Sequence, residues 1–151
     1  MAYKKKIRIL WVGKTREGYL QAGIDRYTGL LKHHADLQIK TIREERGCKD
    51  RNLAIKKEGE RILRAVDGDF ILLSERGILL DSLKFAELLD RRERLTFVLG
   101  GPFGVDRPVY EGAEMVLSLS PLTFTHEMSR LILLEQLYRA FTIIKGKGYH
   151  Y

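Results

Sequence analysis

A short apolar run that ends at two adjacent glycines constrains this chain more than any other stretch. The run Leu95-Thr-Phe-Val-Leu99 is too short for a helix and carries bulky or β-branched residues, so it predicts a strand buried on both faces. Gly100 and Gly101 lack a Cβ, so a ligand can approach their backbone groups, and Gly104 permits a left-handed turn. Because open α/β sheets bind small molecules beyond the carboxyl ends of their strands, the loop is either a ligand site or a tight strand-to-helix turn that binds no ligand.

Strand and helix patterns alternate along the whole chain. Short apolar or alternating runs predict five strands, at residues 7–12, 37–43, 70–73, 95–99 and 116–119. Helical spacing of apolar residues predicts five helices, at residues 17–32, 53–66, 83–89, 109–115 and 125–144. This alternation predicts an α/β fold, a mostly parallel sheet flanked by helices, with the second strand near an edge. We find no linker and expect one domain.

The positive charge of the chain lies in its first half. Net charge is +7; residues 1–66 hold 17 Lys and Arg against 8 Asp and Glu, whereas residues 67–151 hold 10 against 12. A cationic surface on a small protein indicates a nucleic-acid partner first, with a merely solubilising surface as the alternative. Residues 44–52, charged and without a hydrophobic period, predict a mobile loop whose cations either contact phosphate or stay solvated.

Cysteine content and hydropathy bear on location. The single cysteine, Cys48, excludes an internal disulfide and is typical of a reducing cytoplasm. The basic start and the apolar residues from Ile7 imitate a signal peptide, but Gly13 cuts that run short, and no later run is long enough to span a membrane. We therefore expect a cytoplasmic protein that uses no membrane.

Three predicted strand ends fall at one edge of the sheet: Leu73, Gly100 and the segment Leu119-Ser-Pro-Leu-Thr-Phe124. The third combines apolar and hydroxyl residues and has no charged side chain. Backbone N–H and C=O groups in such an apolar wall suit a flat heterocycle such as adenine, and a packed loop with nothing bound is the alternative.

Other cofactor chemistries fit the sequence poorly. The Gly-x-Gly-x-x-Gly signature of nicotinamide dinucleotide folds belongs after the first strand, whereas the glycine loop here follows the fourth, and Pro102 removes a donor. No P-loop is present. The four histidines do not have the spacing of metal ligands, so we expect no metal site.

The last helix and the tail carry the remaining candidates. Helix 125–144 is apolar almost all round, so it needs a cover on two sides, and we expect a second subunit to supply one in a symmetric dimer. Glu135 and Arg139, at i,i+4, are either a helix ion pair or functional groups. Residues 145–151 mix cations, glycines and aromatic rings, which suits stacking on RNA bases or an ordinary frayed terminus.

Four motifs together resemble one family: Leu99-Gly-Gly-Pro-Phe-Gly104, Leu119-Ser-Pro-Leu-Thr-Phe-Thr-His126, Leu134-Glu-Gln-Leu-Tyr-Arg-Ala140 and Gly148-Tyr-His150. Over essentially its whole length the chain is similar to the ribosomal RNA large subunit methyltransferase H family of the SPOUT superfamily. The resemblance implies a single SPOUT methyltransferase domain over residues 1–151, with a deep C-terminal trefoil knot, that forms a homodimer.

The resemblance also implies an activity and its partners. The expected reaction is transfer of a methyl group from S-adenosylmethionine to N3 of a pseudouridine in 23S ribosomal RNA, with the RNA free, in the large ribosomal subunit or in the 70S ribosome as substrate. The competing interpretation is a basic RNA-binding module without catalysis. By the resemblance the methyl donor contacts eight residues: Leu73, Gly100, Leu119, Ser120, Pro121, Leu122, Thr123 and Phe124.

The implied catalytic residues are Glu135, Arg139, Tyr149 and His150. We expect His150 to accept the N3 proton or to bond the pyrimidine edge, and Arg139, oriented by Glu135, to offset negative charge. Tyr149 is the aromatic ring of the tail that would stack on a base. The tail departs from the family pattern at Gly148, where relatives usually have proline, and it ends one residue after His150.

Overall fold

Five strands and five helices alternate along the chain in a computed structural model, which describes residues 3–146. The elements are β1 (Lys5–Val12), α1 (Gly18–Leu31), β2 (Ala35–Ile42), α2 (Arg51–Ala65), β3 (Ile71–Leu79), α3 (Ser82–Asp90), β4 (Arg94–Leu99), α4 (Arg107–Gly112), β5 (Met115–Ser118) and α5 (His126–Ile144). Two of the predicted catalytic residues, Tyr149 and His150, lie outside the described residues.

The strands form one sheet in the order β2-β1-β4-β3-β5. Every pairing is parallel, which confirms the predicted α/β class, and β2 is an edge strand as its alternating pattern predicts. Because all strands run the same way, their carboxyl ends share one edge of the sheet. The loops after Val12, Ile42, Leu99 and Ser118 therefore lie along that edge.

Successive side chains of a strand point to opposite faces, and each face has its own core. On β1, Ile9 and Trp11 belong to a cluster with Leu133 of α5, and α1 and α3 cover the same face. Leu10 of β1 packs on the other face with Ile62 of α2, and α4 completes that layer. Helices thus cover both faces of a sheet whose central strands are buried, as parallel sheets require.

The third strand is longer than predicted. The sequence predicts that the third strand ends at Leu73, but β3 continues to Leu79 and pairs with β5 through a register irregularity between Leu73 and Ile78. A Cβ at Gly77 would lie 2.5 Å from the carbonyl oxygen of Val116, so only glycine lets the backbones of β3 and β5 approach this closely. No local pattern in Ser74-Glu-Arg-Gly77 indicates a strand, because tertiary pairing determines it.

The predicted helix 109–115 is also wrong at both ends. Helix α4 begins at Arg107, with Pro108 in its first turn, where a missing N–H costs nothing, and it ends at Gly112. Met115 opens β5 instead.

The charged loop between β2 and α2 is shorter than predicted. Helix α2 begins at Arg51, because the carboxylate of Asp50 accepts hydrogen bonds from the N–H groups of Asn52 and Leu53. Within the loop, Glu45 pairs with Arg61 of α2 at 2.5 Å.

Helix α5 extends from His126 to Ile144, with Thr125 capping it through the N–H of Met128. Leu133, Leu137 and Phe141 are buried in the core, and Ile132 and Ile143 on other sides of the helix are half-buried. The trefoil knot that the resemblance implies stays a prediction. No helix among residues 3–146 has the length and apolar character needed to cross a membrane.

Candidate functional site

A cavity of ≈ 240 Å³ opens at the carboxyl edge of the sheet, where β4, β3 and β5 lie side by side. The regular pairing of β3 with β4 ends where Leu73 faces Leu99, and on its other side Leu73 faces Leu117. Leu73 therefore lies beside the ends of β4 and β5, as the sequence predicts, although β3 itself continues beyond it. Seven of the predicted donor-binding residues line this cavity: Leu73, Gly100, Leu119, Ser120, Leu122, Thr123 and Phe124. Pro121 lies in the same loop with its side chain exposed and does not line it.

The glycine loop forms one wall of the cavity. Gly101 and Gly104 form an isolated antiparallel bridge, and the Gly104 N–H donates to the Gly101 carbonyl at 3.1 Å. Gly104 has a φ of +85°, which other residues rarely adopt. A Cβ at Gly100 would lie 2.7 Å from Cγ1 of Val105. The loop is thus a tight strand-to-helix turn that also borders an open cavity.

Two hydrogen bonds between side chains fix the polar part of the wall. The hydroxyls of Ser74 and Tyr110 lie 2.7 Å apart, which joins β3 to α4. Thr123 donates its hydroxyl to Oε2 of Glu75 at 2.8 Å, which joins the loop after β5 to β3. All four residues line the cavity. Sequence reasoning missed Glu75 and Tyr110, since neither stands in a motif and only the fold brings them to this edge.

The loop after β5 offers main-chain groups to a ligand. Among residues 3–146, the backbone groups of residues 120–124 make no hydrogen bond to another backbone group. Side chains pair with only some of these backbone groups. The Ser118 hydroxyl donates to the Ser120 carbonyl at 2.9 Å, and the Leu122 N–H donates to the Ser120 hydroxyl at 3.0 Å. Unpaired donors and acceptors beside the apolar side chains of Leu119 and Phe124 are the features that bind a flat heterocycle.

The first turn of α5 completes the cavity and anchors it to β1. His126 and Ser129 line the cavity. Glu127 accepts the N–H groups of Arg16, at 2.7 Å, and Glu17, at 3.1 Å, at the start of α1. The segment between β1 and α1 is therefore held against the helix that follows the cavity loop.

Arg130 lies on the same helix with none of its surface exposed. Its guanidinium donates to the Val12 carbonyl at 2.6 Å and to the Thr15 hydroxyl at 2.9 Å, and it lies 5.0 Å from the ring centroid of Trp11. Within residues 3–146, its Nε has no hydrogen-bond partner. The helical pattern gives no sign of this buried charge, which sequence reasoning also missed.

Burial and neighbouring charges set the protonation states of Arg130, His126 and Glu127. Burial lowers the pKa of Arg130 to about 10, so the side chain stays cationic at neutral pH. Burial and the charge of Arg130 lower the pKa of His126, so its imidazole is neutral there. Burial alone would raise the pKa of Glu127, but its two backbone N–H donors and the two basic neighbours together hold it below its ordinary value.

The predicted catalytic residues of α5 lie apart from the cavity. Nη2 of Arg139 lies 2.6 Å from Oε1 of Glu135, and Glu135 also accepts from Gln136 at 2.7 Å. Neither Glu135 nor Arg139 lines the cavity. At 1.5 Å per residue, they follow His126 along the helix by roughly 14 and 20 Å. The chain therefore brings the predicted donor-binding residues together but leaves this ion pair at a distance.

Comparison with known proteins identifies related chains. Residues 5–150 match the family described as "Predicted SPOUT methyltransferase". A curated relative from Thermodesulfovibrio yellowstonii, named ribosomal RNA large subunit methyltransferase H, is 44% identical over 146 residues, covering 97% of this chain and 99% of the relative. Relatives of the same name from Trichlorobacter lovleyi and Pseudothermotoga lettingae are 40% and 41% identical, with the same coverage of 97% and 99%.

A solved structure is similar in fold. It is described as a probable methylase family protein from Haemophilus influenzae Rd KW20, and it superposes with a TM-score of 0.56 at 14% identity. The match covers 96% of this chain and 70% of the other. At this identity the similarity shows a shared fold.

Proposed function

Because this chain belongs to the SPOUT methyltransferases, in the ribosomal RNA large subunit methyltransferase H family, we propose that it methylates ribosomal RNA of the large subunit with S-adenosylmethionine as donor. The proposed acceptor is N3 of a pseudouridine in 23S ribosomal RNA, and the proposed site of action is the cytoplasm. We propose that residues 1–151 form one methyltransferase domain.

One observation carries the proposal: the middle of β3 and the ends of β4 and β5 border a cavity whose wall has unpaired main-chain groups beside apolar side chains. At ≈ 240 Å³ the cavity is slightly below the usual range for ligand sites, about 300–1,000 Å³. Its size suits a nucleoside, and its open side leaves room for an attached chain. Leu119, Leu122 and Phe124 would bury the faces of an adenine ring, and free groups of residues 120–124 would bond its edge.

The sulfonium of S-adenosylmethionine supplies an already activated methyl group. The residues of this chain must therefore hold the donor and the acceptor nitrogen in line and remove one proton. Alignment contributes roughly 7–11 kcal/mol in favourable systems, and a positioned base contributes about 10²–10⁴-fold. The tight turn at Gly100 and the bond between Thr123 and Glu75 support alignment, because they fix the wall of the cavity. A neutral His126 in the lining would not repel the cationic donor.

We propose that the nucleobase that accepts the methyl group is bound by Glu135, Arg139, Tyr149 and His150, as the family resemblance implies. His150 would accept the N3 proton or bond the pyrimidine edge, and Arg139, held by Glu135, would offset negative charge on the base or phosphate. Since Glu135 and Arg139 lie roughly 14 and 20 Å along α5 from His126, we propose that a second subunit brings its own pair towards this cavity.

An exposed apolar surface beside α5 supports this homodimer. Leu79 is 58% exposed and Leu83 is 55% exposed, and the hydroxyl of Ser82 between them donates to Gln136 of α5 at 3.3 Å. Ile132, one helical turn before Gln136, is half-buried. Large apolar side chains that are exposed close together are typical of a subunit interface.

Transfer of a radioactive methyl group from S-adenosylmethionine tests the proposed function. The substrates are 23S ribosomal RNA, large ribosomal subunits and 70S ribosomes that lack the modification, and mass spectrometry of digested nucleosides identifies the product. We expect a methylated pseudouridine from at least one of them. RNA binding without any methyl transfer would instead support the module without catalysis.

The variant His150→Ala tests the proposed acid–base group. We expect it to lower turnover by about 10²-fold or more while leaving S-adenosylmethionine binding unchanged. Lys84→Gln, an exposed change on α3, is the control and should match the wild type. Unchanged turnover in His150→Ala would remove that residue from the mechanism.

A further inference from the structure

A second cavity, of ≈ 300 Å³, opens on the other side of the sheet from α5, where the edge strand β2 meets the last turns of α2. Four of its seven lining residues are cationic: Lys40, Arg43, Arg61 and Arg64. We name this cavity the basic groove. None of these residues lines the methyl-donor cavity.

The four cations differ in what they already bind. Arg61 is committed to the protein, because it donates to the Arg43 carbonyl at 3.0 Å and to Glu45 at 2.5 Å. Lys40, Arg43 and Arg64 are exposed, and within residues 3–146 none of them forms a salt bridge. In the part of the chain that the structure describes, Arg64 donates only to the carbonyl of Glu60, one turn earlier on its own helix. Three charges therefore remain available to a ligand.

The surroundings of the groove add to the positive field. Arg8 of β1 lies beneath it and donates to the carbonyl of Ala65, a lining residue, at 3.3 Å. The end of α2 carries partial negative charge, which Arg8 and Arg64 offset. The only carboxylate in ion-pair contact with a groove cation, among the described residues, is Glu45, and Arg61 neutralises it. The net field over the groove is therefore that of the three exposed cations, which suits an anion.

The groove also has a defined relation to the methyl-donor cavity. Arg43 follows the last residue of β2, so it lies at the same carboxyl edge of the sheet as Gly100. Strand β2 lies three strands from β3 in the sheet, which is about 14 Å at 4.8 Å per strand. A folded RNA segment is wide enough to contact both places at once, whereas a single nucleotide is not.

We infer that the basic groove binds the phosphate backbone of the RNA whose base is methylated at the other cavity. The inference rests on the proposed function and adds to it the surface that supplies affinity. Phosphate contacts position a nucleic acid and carry most of its salt-dependent affinity, whereas contacts to the base select the target. A phosphate-binding role for the basic groove agrees with the distribution of charge along the chain, since residues 1–66 hold the excess of Lys and Arg.

A charge-neutral triple variant tests the groove. K40Q/R43Q/R64Q removes its three available cations. K84Q/R91Q/R94Q removes one lysine and two arginines from exposed positions on α3, directly after α3 and at the start of β4. The probes are in vitro transcribed 23S ribosomal RNA, titrated at several salt concentrations, and S-adenosylmethionine. Methyl transfer is measured on the substrate that the wild type methylates.

We expect the groove variant to bind 23S ribosomal RNA at least tenfold more weakly at 0.1 M salt, and the control variant less than threefold more weakly. The slope of log K against log salt should fall by about 2 to 3 for three lost phosphate contacts. In methyl transfer the groove variant should raise KM for RNA and leave kcat and S-adenosylmethionine affinity unchanged. Equal weakening in both variants, or in neither, overturns the inference.

The two proposals fail in different ways. If the wild type binds 23S ribosomal RNA but methylates no substrate, the proposed function fails, and so does this inference, which depends on it. If the wild type methylates RNA and the groove variant does so with unchanged KM, only the inference about the groove fails.

Discussion

Arg130 has no exposed surface, and it connects the helix after the donor cavity to the end of β1. Its guanidinium serves the Val12 carbonyl and the Thr15 hydroxyl and lies against Trp11. A group left without a partner inside a protein costs about 1–3 kcal/mol. The arginine thus holds together two segments that are 115 or more residues apart in the chain.

We predict that Arg130→Met lowers the free energy of unfolding by about 2–4 kcal/mol, because it leaves both acceptors unpaired. Arg130→Lys keeps the charge and one donor, so its loss should be smaller. Urea unfolding, followed by circular dichroism and by the fluorescence of the single tryptophan, Trp11, measures both. If Arg130→Met unfolds within about 0.5 kcal/mol of the wild type, the buried guanidinium has no such role.

His126 gives the stability a pH dependence of known sign. Burial lowers its pKa in the folded state below the ordinary 6.5, so the unfolded chain binds the proton more readily. Stability from this group is complete above pH 6.5 and is lost as the pH falls towards the folded-state pKa. Glu58 acts in the opposite direction, because burial raises its pKa.

We predict that the melting temperature of the wild type falls more steeply than that of His126→Gln between pH 7.5 and 5. The comparison cancels the effect of Glu58, which both proteins share. Thermal unfolding at half-unit steps of pH, at constant ionic strength, gives the two profiles. Parallel profiles would mean that His126 titrates equally in the folded and unfolded chains.

At the scale of elements, the extension of β3 beyond Leu73 decides the shape of the donor cavity. Ser74 and Glu75 belong to this extension and line the cavity. Directly after Gly77, β3 pairs with β5 again. A Cβ at Gly77 would lie 2.5 Å from the Val116 carbonyl and 2.6 Å from the Leu117 nitrogen. These are backbone atoms and cannot rotate away.

We therefore predict that Gly77→Ala lowers the free energy of unfolding by at least about 2 kcal/mol, since it separates β3 from β5. Gly29→Ala is the control: nothing lies within 4 Å of its Cβ position in α1, so alanine there should stabilise the helix by up to about 1 kcal/mol. Urea unfolding measures both. A Gly77→Ala protein as stable as the wild type would show that the two strands tolerate separation.

The sequence was sufficient for elements with a strong local pattern. Apolar runs located the strands at 7–12 and 95–99, and the 3.6-residue period located α1 and α5 to within two residues. The convergence of residues 73, 100 and 119 followed from the rule for parallel strands. Local patterns gave no account of the second half of β3, because its pairing depends on a distant strand.

Local sequence patterns also predict only part of the candidate site. The predicted residues of the cavity other than Leu73, which lies within β3, stand in loops directly after strands, where position in the fold follows from chain order. Tyr110, Glu75 and Arg130 stand at ordinary polar positions of a helix or a strand, and only packing makes them part of the site. Pro121, in the loop after β5, does not line the cavity, so its contact with the methyl donor stays a prediction of the family resemblance.

At the scale of the whole molecule, the proposed dimer would bring the proposed catalytic residues and the proposed donor-binding residues into one site. We predict that the wild type is a dimer by light scattering and that L79E/L83E is a folded monomer without methyl transfer. Both leucines are exposed in one protomer, so the change should spare the monomer fold. Leu53→Glu, at a leucine that is 42% exposed on α2, should remain dimeric. A monomeric wild type, or a dimeric L79E/L83E, would contradict the proposed interface.

The binding of S-adenosylmethionine, measured by calorimetry, tests the central claim most directly. Leu122 lines the cavity and is 73% exposed, so Leu122→Arg should fold normally yet place bulk and positive charge against the cationic donor. Leu53→Arg on α2 is the matched control. We predict one site per chain in the wild type and in Leu53→Arg, and binding at least tenfold weaker in Leu122→Arg. A wild type that gives no binding heat, or a Leu122→Arg protein that binds as tightly as the wild type, would contradict the account.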